Sequence, residues 1–193
     1  MNIVRRSATF DDIRREAKQL RASGLWFRRQ ALMMHDRVDR DSRTIPAVIA
    51  TENPVLFWDP QRRRVSREVL VASGGMLFPW VPMLRMHQSW ALEMSLGSVL
   101  NSRMVGRQIQ ADLQFAEAED VQPVWSRVRD GHLRGVSIGG RRVEFTDIEP
   151  GQVATVAGRR WIAGKFPLRV TTKWIEREAS VVLFGADGGP ATH

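Results

Sequence analysis

Cysteine is absent from the 193 residues, which excludes disulfides and thiolate metal ligands and is compatible with a reducing compartment. Long apolar runs are absent too. Stretches such as 181–184 are far shorter than the roughly 20 residues a membrane helix needs. The opening "MNIVRRSATF" is basic but no apolar run follows it, so no signal peptide is expected. Lysine is scarce: Lys18, Lys165 and Lys173 leave 26 of the 29 basic residues as arginine. No internal repeat, low-complexity tract or cofactor motif is present.

The length suits one domain with a tail, and 43% hydrophobic residues is ordinary for a globular chain. The net charge of +8 favours anionic partners, nucleic acid or an acidic protein surface. The arginines are nevertheless dispersed, in pairs at 5–6, 28–29, 141–142 and 159–160 and a triplet at 62–64, as on a solvated surface. No single strand combines aromatic and basic residues in the manner of a base-stacking platform, so nucleic acid is disfavoured.

Residues 1–44 read as a helical appendage and linker. Thr9 is a plausible N-cap, Phe10, Ile13, Ala17 and Leu20 form a rough stripe, and a second helix is expected over 25–35. "HDRVDRDSRT" (35–44) would link this segment to a domain over 45–190, with 191–193 as a tail. From Ile45 the pattern is of strands: "AVIAT" (47–51), "VLFWD" (55–59), "EVLVA" (68–72) and the alternating "RQIQADLQF" (107–115). Asp120, Pro123 and Gly131 then frame one helix with Trp125 and Val128 on its buried face. Short strands follow at 142–145, 152–156, 160–164, 168–176 and 179–184. The spacing predicts a β-rich α+β fold, an antiparallel barrel with peripheral helices. The triplet Arg62, Arg63 and Arg64 falls in a hairpin loop, where solvent or an acidic partner would match it.

Within "GHLRGVSIGG" (131–140), Gly135-x-Ser137-x-Gly139 matches the hydrolase nucleophile elbow. That elbow requires strand, turn and helix, with a histidine later in the chain. Here strand-like "IGGRRVEF" follows, and the only later histidine is His193. A serine on a strand still becomes a nucleophile if a neighbouring element supplies a base. His35 lies in the linker, His193 at the end, and His132 at a helix C-terminus, where capping explains it. His87 follows the apolar strand "VPML" and remains as either a packed or a catalytic histidine.

Three blocks together, "VPMLRMHQSW…SLGSV" (81–99), "VWSRVRDGHLRGVSIGG" (124–140) and "LRVTTKWIEREASVVLFGAD" (168–187), resemble the prohead proteases of tailed bacteriophages. These capsid-maturation serine proteases are akin to the herpesvirus assemblins. "ATENPVLFWD" (50–59) also resembles the family's opening strand, and the resemblance covers about residues 47–190. It implies an assemblin-like barrel, a nucleophile at Ser137, a general base at His87 and an acid at Glu178, without cofactor or metal. Glu176, two residues earlier and on the same face by period two, is the fallback acid, and Ser180 shares that face. Backbone N–H groups near Gly139 and Gly140 are oxyanion candidates. Gln88, Gly140 and Leu183 depart from the family pattern without touching the triad.

The implied substrates are scaffold and major capsid protein precursors, and the chain itself, cut inside the immature capsid in the host bacterial cytoplasm. A homo-oligomer, a dimer among the options, is the expected assembly, away from membranes. The competing readings are a protease-like scaffold protein that no longer cuts and a basic nucleic-acid-binding barrel.

Overall fold

The computed structural model describes residues 26–183. Twelve strands dominate: β1 (Trp26–Leu32), β2 (Thr44–Thr51), β3 (Val55–Asp59), β4 (Arg64–Leu70), β5 (Gly75–Met76), β6 (Trp80–Arg85), β7 (Ser95–Val105), β8 (Gln108–Phe115), β9 (Gly135–Ile148), β10 (Val153–Val156), β11 (Arg159–Ile162) and β12 (Leu168–Val182). Among the described residues α1 (Gln122–Arg129) is the one α-helix. Ten strands form one curled sheet, seven along the path β1-β9-β12-β6-β7-β8-β2 and three, β3, β4 and β5, branching from β12, while β10 and β11 form a separate hairpin. The curl brings the two ends of the path together: Met33 bridges Ala47, and the Met34 N–H donates to the Pro46 carbonyl at 2.8 Å.

The expected strands at 47–51, 55–59 and 107–115 appear as β2, β3 and β8. The helix appears too, but Val121 rather than Asp120 occupies its N-cap, in helical backbone and with no side-chain cap. Gly131 ends it at φ +78°, as expected of a C-terminal glycine. The pairs of strands expected at 168–176 and 179–184 are one long β12, continuous through a register shift between Glu176 and Glu178.

Two expectations are corrected. The sheet is not purely antiparallel. One edge of β12 pairs throughout with antiparallel β9, but the other meets β4, β5 and β6 in succession, all parallel. The helix expected over 25–35 is instead strand β1, followed by a short 3-10 turn at His35–Arg37. Phe27, Ala31 and Met33 alternate inward onto the core while Arg28 and Leu32 face out. Seven registered pairs tie β1 to β9, so residues 26–32 belong to the sheet and not to a helical appendage. His35 reinforces this junction, each ring nitrogen lying within hydrogen-bond distance of a carbonyl, Met33 at 3.2 Å and Leu133 at 3.1 Å. The first expected helix, over 9–23, and the tail at 191–193 lie outside the described residues.

The core fills the inside of the curl. Val136 and Ile138 of β9 pack with Ala179 and Val181 of β12, Met83 of β6 and the α1 face of Trp125 and Val128. The opposite faces of β9 and β12 therefore point outward, and they carry the residues singled out in the sequence.

Two members of the basic triplet, Arg62 and Arg64, are paired within the chain. Arg62 pairs with Asp147, and Arg64 makes a two-pronged contact with Glu149 at 2.9 and 2.6 Å. These partly exposed pairs are of small energetic value, but they tie the β3–β4 turn to the end of β9.

Candidate active site

β6 ends in a tight turn at Arg85–Gln88, where the Gln88 N–H donates to the Arg85 carbonyl at 3.0 Å. Its two central residues, Met86 and His87, have φ of +53° and +59°. Both positions are left-handed, as in a type I′ turn, where glycine or asparagine is the comfortable occupant. Such strain in non-glycine residues clusters where a particular side chain must be presented. The turn aims His87 back over β12. Its Nδ1 lies 2.6 Å from Glu178 Oε1, with both side chains largely buried.

Ser180 completes this contact. Its hydroxyl donates to Glu178 Oε2 at 2.6 Å and accepts the His87 backbone N–H at 3.0 Å. One side chain thus holds both the strained turn and the carboxylate that orients the imidazole.

Ser137 lies directly across from Ser180 in the β9–β12 register, and cross-strand partners project from the same face. His87, Glu178, Ser180 and Ser137 therefore share the outer face of the curl. Ser137 is completely buried. Two buried atoms of this group, Ser137 Oγ and His87 Nε2, have no hydrogen-bond partner, so they are not bonded to each other. Buried polar atoms are rarely left so, and an orphan donor and an orphan acceptor on one face form an unusual pair.

The two glycines of "SIGG" have separate steric reasons. A Cβ at Gly139 would run into the Glu178 carboxylate, and one at Gly140 would meet the Ile175 carbonyl and the Phe27 ring. Gly139 thus leaves the space in which Glu178 reaches His87. Both glycines lie between β1 and β12, so their N–H groups point within the sheet plane and not toward the Glu178 face. An oxyanion role for them has no support in this arrangement.

The fallback acid is overturned. Between Glu176 and Glu178 the register advances two residues on β12 but one on β9, from Gly140 to Gly139. This bulge at Arg177 cancels the period-two relation and puts Glu176 on the opposite face. There it is fully buried, accepting the Ser102 hydroxyl at 2.8 Å and the Phe78 N–H at 3.2 Å. It is therefore not placed to serve as the fallback acid. Burial pushes its carboxyl pKa up, against the pull of these two hydrogen bonds. A raised folded-state pKa means the folded chain holds the proton more tightly than the unfolded one. This contribution to stability therefore falls as pH rises from the ordinary glutamate range through the folded pKa. Thermal unfolding followed against pH is expected to show a declining component in that window, absent in Glu176→Gln.

A cleft of about 670 Å³ opens beside the group, lined by His87, Gly139 and Glu178 and also by Phe57, Trp58 and Arg142. Phe57, Trp58 and Arg142 come together only through the fold, so no local pattern pointed to them. Among the described residues no cluster of acidic or histidine side chains could hold a metal ion. No described helix is long and apolar enough to cross a membrane.

No family model, curated protein or solved structure matches the chain.

Proposed function

We propose that the protein is a serine endopeptidase of the phage prohead-maturation kind, with Ser137 as nucleophile, His87 as general base and Glu178 as the acid. One observation carries this reading. The residues that the sequence resemblance marks as a triad, from three separate blocks, converge on one sheet face, with His87 Nδ1 held 2.6 Å from Glu178. That contact places the proton on Nδ1 and leaves Nε2 as the basic nitrogen, as a Ser-His-acid mechanism requires. Nε2 then takes the Ser137 proton as Oγ attacks a peptide carbonyl, and Glu178 stabilises the imidazolium that forms. His87 next gives the proton to the leaving amine, and water releases the acyl group.

The barrel is assigned as assemblin-like on the same ground. The expected substrates are scaffold and capsid-protein precursors inside an immature shell in the bacterial cytoplasm, with a homo-oligomer as the working form.

Ser180→Ala is expected to lower kcat about 10-fold or more with little change in KM, because Glu178 and the His87 turn lose a shared hydrogen bond. Ser180→Thr, which keeps the hydroxyl, should recover much of the rate in steady-state assays.

The complete burial of Ser137 favours a second reading, a protease-like assembly protein that does not cut. Co-expression of the full chain with its scaffold, followed by intact mass, separates the two. The wild type should shorten the scaffold or itself, and Ser137→Ala should leave both whole. Full-length masses for both proteins in the wild-type sample would overturn the protease reading.

A further inference from the structure

We infer that a second pocket, on the outer face of the sheet three strands from Ser137, takes a carboxamide side chain of the substrate, a glutamine or asparagine; its link to a substrate rests on the protease reading above. The pocket has a volume of about 260 Å³, and Ser42, Arg43, Gly97, Ser98, Gln114 and Glu117 are among its lining residues. Arg43 is the unusual member. It sits in the turn bridged by Asp39 and Thr44, with φ of +53°, a left-handed position for a non-glycine residue. Its guanidinium lies 5.5 Å from the centre of the Trp125 ring, and Nη1 donates to Gln122 Oε1 at 2.7 Å. Nε and Nη2 are buried and have no hydrogen-bond partner. These two nitrogens form one edge of the guanidinium, whose parallel N–H groups suit a planar acceptor. Buried donors are rarely left unpaired, so a whole unpaired edge beside a pocket calls for an acceptor.

The charges select the acceptor. The pocket carries one of each sign, on Arg43 and Glu117, and Glu117 does not hold the unpaired edge. An entering carboxylate would meet Glu117, and an ammonium group would meet Arg43. A carboxamide answers both: its oxygen accepts from Nε and Nη2, and its amide group donates to Glu117. Solvent does not touch the edge in this structure, but Arg43 as a whole is half-buried, so rotation about its outer side-chain bonds turns the edge toward the entering group. The place suits a substrate that reaches the nucleophile. Val81 and Met83 are core residues, so Pro82 and Leu84 face outward. Leu84 pairs with Ser180, the partner of Ser137, while Pro82 pairs with Ser98, the partner of Gln114. Ser137 and the pocket thus share the outer face, about 16 Å apart by strand spacing and rise, which four to six residues of extended chain cover.

The test is a titration of the folded, full-length protein followed by nitrogen–proton NMR, with the Arg43 Nε–H and the Gly97 and Ser98 amides as reporters. The probes are the N-acetyl methylamides of glutamine, glutamate, lysine and leucine. The glutamine probe should shift all three signals saturably and bind about 10-fold tighter than each of the others, the scale of one charge-assisted hydrogen bond. Arg43→Lys keeps the charge without the edge and should remove the preference. Glu117→Ala should bring the glutamate probe close to the glutamine probe. Well-dispersed spectra establish that both variants are folded. Glutamate or leucine binding as tightly as glutamine to the wild type, an unchanged preference in either variant, or no saturable shift of these signals with any probe would overturn the inference. These outcomes are independent of cleavage. Failure of the protease reading would show instead as uncut substrate with the wild type.

Discussion

His87→Gly is expected to abolish cleavage while leaving the fold intact. Removing the base from a Ser-His-acid centre costs about 10⁴- to 10⁶-fold in kcat. In most enzymes such a loss is hard to separate from damage to the structure. Here the backbone supplies the control. His87 sits at φ +59°, beside Met86 at +53°, in a turn that glycine enters without strain. Relief of that strain is worth on the order of 1–3 kcal/mol and offsets the lost contact with Glu178. Unfolding in urea should therefore place His87→Gly within about 1–2 kcal/mol of the wild type. If His87 were a packing residue, the outcome would be the opposite: a clear loss of stability and no loss of cleavage.

The largest effect on stability is expected at Arg142. Its side chain and that of Glu68 are both about 2–3% exposed, at the floor of the cleft. Arg142→Leu would strip a buried carboxylate of its two-pronged guanidinium partner. Breaking a buried pair from one side typically costs about 3–5 kcal/mol, a large share of the roughly 5–15 kcal/mol that holds a domain folded. The same change also strips the guanidinium from between the Phe27 and Phe57 rings. Glu68→Gln added to Arg142→Leu removes the stranded charge, and equilibrium unfolding should show part of the loss recovered. An Arg142→Leu protein as stable as the wild type would mean that the pair contributes nothing net.

Much of the strand pattern was legible because local signals agreed. "VLFWD" is β-branched and aromatic, bounded by Asn53-Pro54 and a basic turn, and β3 spans those five residues. "QIQADLQF" alternates cleanly, and β8 buries Ile109, Ala111, Leu113 and Phe115. β1 was not legible as a strand. Leu25, Trp26, Phe27, Leu32, Met33 and Met34 fit a helical stripe nearly as well as an alternating one. Only the partner decides between them, and that partner, β9, lies more than a hundred residues away.

The candidate site shows the same division. Ser137, His87 and Glu178 could be named from three short blocks, and Ser180 from its place on the face of Glu178. Glu176 could not be placed, since "WIEREAS" alternates without a break and the bulge at Arg177 exists only in the register against Gly139 and Gly140. The left-handed turn at Met86-His87 was equally hidden, because methionine does not announce a positive φ and histidine adopts one in only a small minority of cases. The cleft belongs wholly to tertiary structure: Phe57, Glu68 and Arg142 come from three strands that no local pattern joins.

The central claim is that Ser137 is a nucleophile activated by His87, and covalent labelling tests it most directly. The folded protein is treated with a fluorophosphonate, which reacts with activated serines, and the modified residue is located by peptide mass spectrometry. The account predicts a single adduct on the peptide carrying Ser137, lost in both Ser137→Ala and His87→Gly. A folded wild-type protein that takes no label, or takes it equally in His87→Gly, would contradict it.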